Sequence, residues 1–174
     1  MDGETYYLND TDQYAKLGTT PHANQLGLLL ANGRLMENDK TIIEKLQIEA
    51  REAAAFSYSP YSRFRVGAAL LTEGGKIFRG ANIENRSYGL ANCAERSAIF
   101  AALSQGETKF RAIAIYSPDA DELLSPCGAC RQVISEFVEP DFDVYCSNGA
   151  GGFSRFTMKN LLPHDSLQDL KSGS

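Results

Sequence analysis

Two short stretches of the chain place cysteines at the start of patterns typical of helices. NCAERSAI, residues 92–99, contains Cys93 and Glu95, and SPCGACRQ, residues 125–132, contains Cys127 and Cys130 at C-x-x-C spacing. A carboxylate buried beside a thiol is costly unless a cation lies between them. The sequence therefore predicts a fold in which two helix starts hold one cation.

The set of donor atoms indicates which cation this is. Catalytic zinc sites have three protein ligands and an open fourth position, whereas structural sites are closed by a fourth ligand. Cys93, Cys127 and Cys130 provide three thiolates, which predicts one Zn²⁺ per chain. Three thiolates leave the centre net negative, and the dipoles of the two helix N-termini oppose that charge. We expect Arg96 and Arg131 to donate hydrogen bonds to the sulfurs as well.

Glu95 lies two positions after Cys93 and therefore points to a different side of the same helical turn. From there its carboxylate can face the open coordination position without binding the metal. A carboxylate so placed can take a proton from a water molecule and pass it to a substrate nitrogen. C-x-E followed by P-C-x-x-C is the signature of zinc deaminases, so the sequence predicts hydrolytic deamination.

Hydrophobic periodicity predicts the fold class. A helix is expected over residues 41–56, with Thr41 and Glu44 as a capping box. Its mostly apolar face is expected to contain Ile42, Leu46, Glu49 and Ala53. Further helices are expected over residues 93–106 and 127–137, with a helical turn at residues 158–163. The predicted strands cover residues 64–72, 76–84, 110–117, 142–148 and 151–158. Strands that alternate with helices after an initial hairpin predict an α/β fold: a three-layer α/β/α sandwich with a mixed, roughly five-stranded sheet.

The pattern changes near residue 40. Residues 1–40 are expected to form a loosely ordered N-terminal extension with one apolar patch, LGLLLANG, and residues 41–174 to form the catalytic domain. No run of 18 apolar residues is present, which argues against a membrane-spanning helix. Only four cysteines and no export signal predict a cytoplasmic protein. The net charge of −5 argues against a surface that binds nucleic acid.

Three stretches together resemble the signature stretches of a known family. PYSRFRVGAAL, GANIENRSYGLANCAERSAI and SPCGACRQVISEF are similar to those of the cytidine deaminases, in particular the small homotetrameric branch with three cysteine ligands. The resemblance covers residues 41–163. It implies zinc-dependent hydrolysis of free cytidine and deoxycytidine to uridine and deoxyuridine plus ammonia, as in pyrimidine salvage. It also implies a homotetramer whose sites are shared across subunits.

The same resemblance assigns roles to residues. It implies that Cys93, Cys127 and Cys130 bind zinc and that Glu95 carries the proton. It implies substrate contacts as follows: Phe64 against the pyrimidine, Asn82 and Glu84 on the ribose 3'-hydroxyl, Ala94 to the base through its backbone, and Tyr88 toward the sugar 5'-hydroxyl in a neighbouring subunit. Family members usually carry an aromatic residue soon after LLP that closes over a neighbour's site. Here no aromatic lies between Pro163 and Ser174, which departs from the family pattern.

Two other classes of function share some of these features. A polynucleotide-editing deaminase would use the same zinc chemistry, but the acidic balance and the segment NIEN, residues 82–85, favour a free nucleoside. A non-catalytic zinc module would use Cys146 as a fourth ligand and would leave Glu95 without a purpose. The sequence favours the nucleoside enzyme.

Overall fold

The computed structural model describes residues 6–8, 14–16 and 37–165. The chain divides into two compact units, residues 1–34 and 35–174. In the first unit, strands β1 (Tyr6–Leu8) and β2 (Tyr14–Lys16) pair in antiparallel orientation. The apolar patch at residues 26–33 lies outside the described residues.

The second unit contains a mixed sheet and four helices in its described part. Its elements, in chain order, are α1 (Glu37–Ala54), β3 (Gly67–Thr72), β4 (Ile77–Ala81), a 3₁₀ turn (Tyr88–Leu90), α2 (Ala94–Leu103), β5 (Phe110–Ser117), α3 (Gly128–Phe137), β6 (Asp143–Asn148), β7 (Phe153–Thr157) and α4 (Met158–Leu161). The strand order is β4-β3-β5-β6-β7. Strands β5 and β6 are parallel and the other pairs are antiparallel, which confirms the mixed five-stranded sheet.

Two glycines show which helix covers each face of the sheet. A Cβ on Gly67 of β3 would meet backbone atoms of Ala50 and Ala54, so that face lies against α1. Gly80 of β4 pairs with Ala68, and a Cβ on Gly80 would meet backbone atoms at the start of α2. Because neighbouring residues of a strand point to opposite faces, α1 and α2 lie on opposite sides.

Helix α3 lies on the same side as α2. Its Ile134 belongs to one apolar core with Ala98 and Ile99 of α2 and with Val144 of β6. The sandwich therefore has three layers, as predicted. Among the described residues, no helix is long and apolar enough to cross a membrane.

The first helix differs from its prediction. It begins at Glu37, so Thr41 lies inside it and the predicted capping box at Thr41 and Glu44 is wrong. The predicted apolar face was Ile42, Leu46, Glu49 and Ala53. The buried positions are instead Ile43, Leu46, Ala50 and Ala53, together with Ala54. Glu49 is half-buried at the border of this face, and its carboxylate binds Arg79 of β4.

The helices and strands that position the candidate site have bounds close to those predicted from the sequence. Strand β5 spans the predicted residues, and α2 and α3 begin directly after Cys93 and Cys127. Helix α2 is followed by Gly106 at φ +82°, a left-handed conformation that favours glycine beyond a helix end. Strands β3 and β4 are shorter than predicted, because residues 64–66 and 82–84 belong to loops beside the site.

Candidate metal centre

The three motif cysteines meet at the starts of two helices. Cys93 is the residue that caps α2 and Cys127 the residue that caps α3, and neither thiol is used in a capping hydrogen bond. Cys130 lies one turn into α3 and is fully buried. The three Sγ atoms lie within 4.8 Å of one another, so together they could hold one metal ion.

The spacing of the sulfurs fits zinc. Zn–S bonds of ~2.3 Å at tetrahedral angles place two sulfurs about 3.8 Å apart. The Sγ atoms of Cys93 and Cys127 are 3.8 Å apart, and those of Cys127 and Cys130 are 3.5 Å apart. Three thiol ligands in this arrangement leave room for a fourth, non-protein ligand.

Arg96 provides positive charge beside the sulfurs. Its Nη2 donates to the Sγ of Cys93 at 3.5 Å, and its buried Nε has no partner among the described residues. A hydrogen bond from Cys130 and the Arg96 guanidinium lower the pKa of the Cys93 thiol to about 5. The pKa of Cys130 is raised, chiefly by its contact with Cys93 and by burial. A lowered pKa favours the thiolate form of Cys93, which is the form that binds zinc.

The sequence predicts that Arg131 donates to the sulfurs, but in the structure it donates to oxygen atoms. Its Nε donates to the carbonyl of Pro126 at 2.7 Å, Nη2 to Ser125 Oγ at 3.0 Å, and Nη1 to the carbonyl of Leu161 at 2.9 Å. The side chain turns back along α3, so it reaches the segment before Cys127 and not the sulfurs. Among the described residues, its hydrogen bonds therefore go to Ser125, Pro126 and Leu161 and not to the three thiols.

Glu95 lies in the first turn of α2 and is 5% exposed. Burial raises the pKa of its carboxyl group, and the charge at Cys93 adds to that rise, while the Cys130 thiol and Arg96 oppose it. A carboxyl group with a raised pKa holds a proton more readily near neutral pH, which suits an acid–base group. A bound cation would favour the ionised form, so its acidity depends on the metal.

Backbone pairing brings the substrate-binding candidates beside the metal centre. Ile83 exchanges two hydrogen bonds with Asn92, the residue before Cys93. On its other side, the Tyr58 N–H donates to the carbonyl of Asn82, and the N–H of Glu84 donates to the carbonyl of Tyr58. These short bridges join residues 82–84, residue 92 and the segment 55–66, which we call the Phe64 loop.

Asn82 and Glu84 also hold the Phe64 loop through their side chains. The amide of Asn82 donates to the carbonyl of Phe64 and accepts from the N–H of Val66, both at 2.9 Å. The carboxylate of Glu84 accepts from the N–H of Tyr61 at 2.8 Å and of Ser62 at 3.3 Å. Contacts with Ser62 and Tyr61 hold the pKa of Glu84 below its ordinary value, so it is ionised at neutral pH.

The remaining candidates lie around the same region. Phe64 is half-buried against the core, and it follows Arg63, which has the unusual φ of +58°. Ala94 is fully buried at the first position of α2. Tyr88 is 79% exposed on the 3₁₀ turn, with its ring edge-on to Tyr61 at 6.2 Å between centroids.

Cys146 does not belong to the metal group. It is fully buried on β6 within the apolar core, and burial raises the pKa of its thiol to about 12. The group of thiols that could share an ion contains Cys93, Cys127 and Cys130 only. The alternative of a closed, four-cysteine module is therefore not supported.

Two side chains that sequence reasoning missed hold the segment ahead of Cys127. We call residues 118–126 the Cys127 loop. Arg65 binds Asp119 at its beginning, and the buried Asn148 donates to the carbonyl of Asp121 at 3.1 Å. Arg65 and Asp119 are 54 residues apart in the sequence, and no local pattern links residues at that separation.

Comparison with known proteins identifies the family. The family model of the cytidine and deoxycytidylate deaminase zinc-binding region matches residues 36–146. The chain belongs to this deaminase family. Because the matched region binds zinc, the cofactor is zinc, and the three thiols provide for one ion per chain.

Several cytidine deaminases are similar to the chain. The one from Halalkalibacterium halodurans is 50% identical over 125 residues, which cover 72% of this chain and 92% of the relative. The one from Sporosarcina psychrophila is 49% identical over 121 residues, covering 70% and 88%. The crystal structure of cytidine deaminase from Burkholderia pseudomallei aligns with a TM-score of 0.66 at 45% identity, covering 69% of this chain and 95% of that one.

Proposed function

We propose that this chain is a cytidine deaminase that hydrolyses free cytidine and deoxycytidine to uridine and deoxyuridine plus ammonia, as a step of pyrimidine salvage. The observation that carries the proposal is a buried carboxyl group, Glu95, two residues after Cys93, which is one of three thiols with the spacing of a zinc site. The named relatives, at 49% and 50% identity, are cytidine deaminases.

The chemistry divides between the metal and the protein. When bound, zinc supplies Lewis-acid activation of a water molecule. Glu95 would take a proton from water and deliver it to N3 of the pyrimidine as C4 gains the hydroxyl group. The proton of that hydroxyl would then pass through Glu95 to the amino group, which leaves as ammonia while C4 becomes a carbonyl carbon. The carboxyl group of Glu95 can accept and release a proton during the reaction, because burial raises its pKa toward neutral pH.

Substrate binding follows from the loops that meet beside the metal. Phe64 packs against the pyrimidine ring, and Asn82 and Glu84 hold the ribose 3'-hydroxyl. Glu84 uses one carboxylate oxygen, Oε2, for the loop amides, so Oε1 provides an acceptor for a hydroxyl group. Ala94 contacts the base through its backbone. A phosphate near Glu84 would meet a like charge, which favours nucleosides over nucleotides or nucleic acid.

A homotetramer with shared sites is part of the proposal. Large apolar side chains are exposed on the Phe64 loop and on residues 83–90: Phe56, Tyr58, Tyr61, Ile83, Tyr88 and Leu90. Such a concentration of exposed apolar surface is typical of protein–protein contacts. Its position beside the site supports Tyr88 reaching toward a neighbouring subunit's sugar 5'-hydroxyl.

We also propose a cytoplasmic location and a division into an extension, residues 1–40, and a catalytic domain, residues 41–174. The location is supported by the thiol ligands, because zinc binding requires reduced cysteines and the cytosol keeps thiols reduced. The family match begins at residue 36 and α1 at Glu37, which supports a division here with the catalytic domain beginning a few residues before residue 41.

The proposal is tested by incubating the purified protein, with its zinc content measured, with cytidine and following the fall in absorbance as uridine forms. We expect turnover by protein that contains about one zinc per chain. Competition by single-stranded RNA should be weak. No turnover by fully loaded protein would contradict the proposal, and strong competition by RNA would favour the polynucleotide alternative.

A further inference from the structure

One ion pair joins the two loops that meet at the candidate site. Arg65 follows Phe64 directly, and Asp119 lies in the Cys127 loop, eight residues before Cys127. The guanidinium donates from Nε to Oδ2 of Asp119 at 2.9 Å and from Nη2 to Oδ1 at 2.6 Å. The backbone N–H of Arg65 also donates to Oδ2, at 2.9 Å.

The Arg65–Asp119 pair is held in a more defined geometry than an ordinary surface ion pair. A guanidinium that binds both oxygens of one carboxylate fixes distance and angle together. The backbone hydrogen bond adds a third connection, which ties the carboxylate to the main chain next to Phe64 and not only to a long side chain. The hydrogen bonds from Arg65 lower the pKa of Asp119 to about 2, so the pair is charged at any pH used for an assay.

Each of the two loops is also held by other side chains, so the Arg65–Asp119 pair connects two segments that are already fixed in place. The Cys127 loop is tied to Asn148 in its middle and to Arg131 at its end. The Phe64 loop is tied to Asn82 and Glu84. Within this arrangement, the Arg65–Asp119 pair is the connection that runs from the residue beside Phe64 to the segment that leads into a metal ligand.

We propose that Arg65 and Asp119 are positioning residues that set the distance between the Phe64 ring and the metal centre, and so determine how well the site binds the pyrimidine. The proposal rests on the proposed function, because it takes Phe64 as a substrate contact. Neither residue takes part in the proton transfer. Loss of the pair therefore loosens the Phe64 loop and weakens substrate binding more than it slows the reaction.

The chain offers a matched control. Arg79 of β4 is also a half-exposed arginine that binds carboxylates, those of Glu49 and Glu52 on α1. This contact joins a strand to a helix and includes neither loop. Arg65→Met and Arg79→Met therefore remove the same charge, yet only the first affects the site.

The test compares wild type, Asp119→Asn, Arg65→Met, the double variant and Arg79→Met, all with measured zinc content. We expect each single change at the pair to raise KM for cytidine about three-fold with kcat nearly unchanged, the size typical of a partly exposed ion pair. The KM of the double variant should be no higher than that of either single variant, because each single change already removes the same interaction. Raising the salt concentration should raise KM for wild type and Arg79→Met but not for the double variant.

Hydrogen exchange of the free protein tests the proposal without substrate. Amides of residues 59–66 should exchange faster in Asp119→Asn and Arg65→Met than in wild type, and at the wild-type rate in Arg79→Met. Unchanged exchange would overturn the proposal, as would unchanged KM or additive effects in the double variant. Failure of the proposed function can be told apart from failure of this inference. If the proposed function is wrong, zinc-loaded wild type does not turn over cytidine. The hydrogen-exchange result still decides whether the Arg65–Asp119 pair holds the Phe64 loop.

Discussion

At the scale of single residues, Glu95 has an environment that a surface acid would not have. Its carboxyl group is buried beside thiols and a guanidinium, and burial raises its pKa. A buried acid of this kind is destabilising unless it has a task or a charged partner. The proposed proton transfer beside a bound metal ion would give Glu95 both a task and a charged partner.

Replacing Glu95 with Gln tests this role directly. The amide fills the same space but cannot carry the proton, so we expect zinc content and thermal stability to be retained and kcat to fall about 10²- to 10⁴-fold. Glu107→Gln is the control, because Glu107 makes an exposed ion pair with Lys76 and should keep full activity. Substantial turnover by Glu95→Gln would show that another group moves the proton.

The four cysteines should differ in reactivity once zinc is removed. Cys93 and Cys127 are accessible to solvent, whereas Cys146 is fully buried and the pKa of its thiol is raised to about 12. After chelation, with the fold verified by circular dichroism, iodoacetamide should label Cys93 and Cys127 and leave Cys146 unmodified. Mass spectrometry of peptides measures this.

Zinc-loaded protein is the control in that labelling experiment. Its three ligand thiols should be protected, and denaturant should expose all four cysteines. Labelling of Cys146 at the rate of Cys93 and Cys127 in folded, zinc-free protein would contradict its place in the core.

At the scale of elements, the close approach of helices to the sheet depends on glycines. A Cβ added to Gly67 would lie 2.1 Å from the carbonyl oxygen of Ala50, and one added to Gly80 would lie 2.3 Å from that of Ala94. Both obstacles are backbone atoms, which cannot move by changing a rotamer. These two contacts set the positions of α1 and α2, and α2 carries Glu95.

Gly67→Ala should therefore destabilise the fold strongly. Separating α1 from β3 disturbs a packed layer, and we expect the free energy of unfolding in urea to fall by about 3 kcal/mol. Gly74→Ala is the matched control, because the nearest atom to its added Cβ would be Thr72 Oγ1 at 3.8 Å. Equal stability of the two variants would show that α1 does not pack as closely as described.

At the scale of the whole molecule, the exposed apolar residues around the site lead to a prediction about assembly. Leu90 is 72% exposed and Phe56 is 75% exposed, which is costly for large side chains in water. We expect light scattering to give a mass about four times the 19.0 kDa of one chain.

Leu90→Asp should shift that mass toward smaller species and reduce turnover, since burying a charge at a contact is unfavourable. Ile48→Asp is the control, because Ile48 is also an exposed apolar residue but belongs to α1 and to neither of these segments. A monomer with full activity would contradict both the tetramer and the shared sites.

The sequence by itself predicted the fold class and the group of three thiols that could hold a metal ion, because both depend on short-range patterns. A nearly continuous apolar run predicted β5 to the residue, and the spacing of Cys93, Glu95, Cys127 and Cys130 predicted which groups gather at two helix starts. Local periodicity could not fix where α1 begins, since Glu37 precedes the apolar pattern.

Only the tertiary structure decided which polar side chains hold the loops. Arg131 reaches the carbonyl of Leu161, 30 residues away, and Arg65 reaches Asp119 across 54 residues. Long, charged side chains have many partners within reach, and the choice among them depends on how distant segments of backbone approach. Residue type and spacing predict the chemistry of a site, whereas the packing of the sheet and its loops decides which side chains position it.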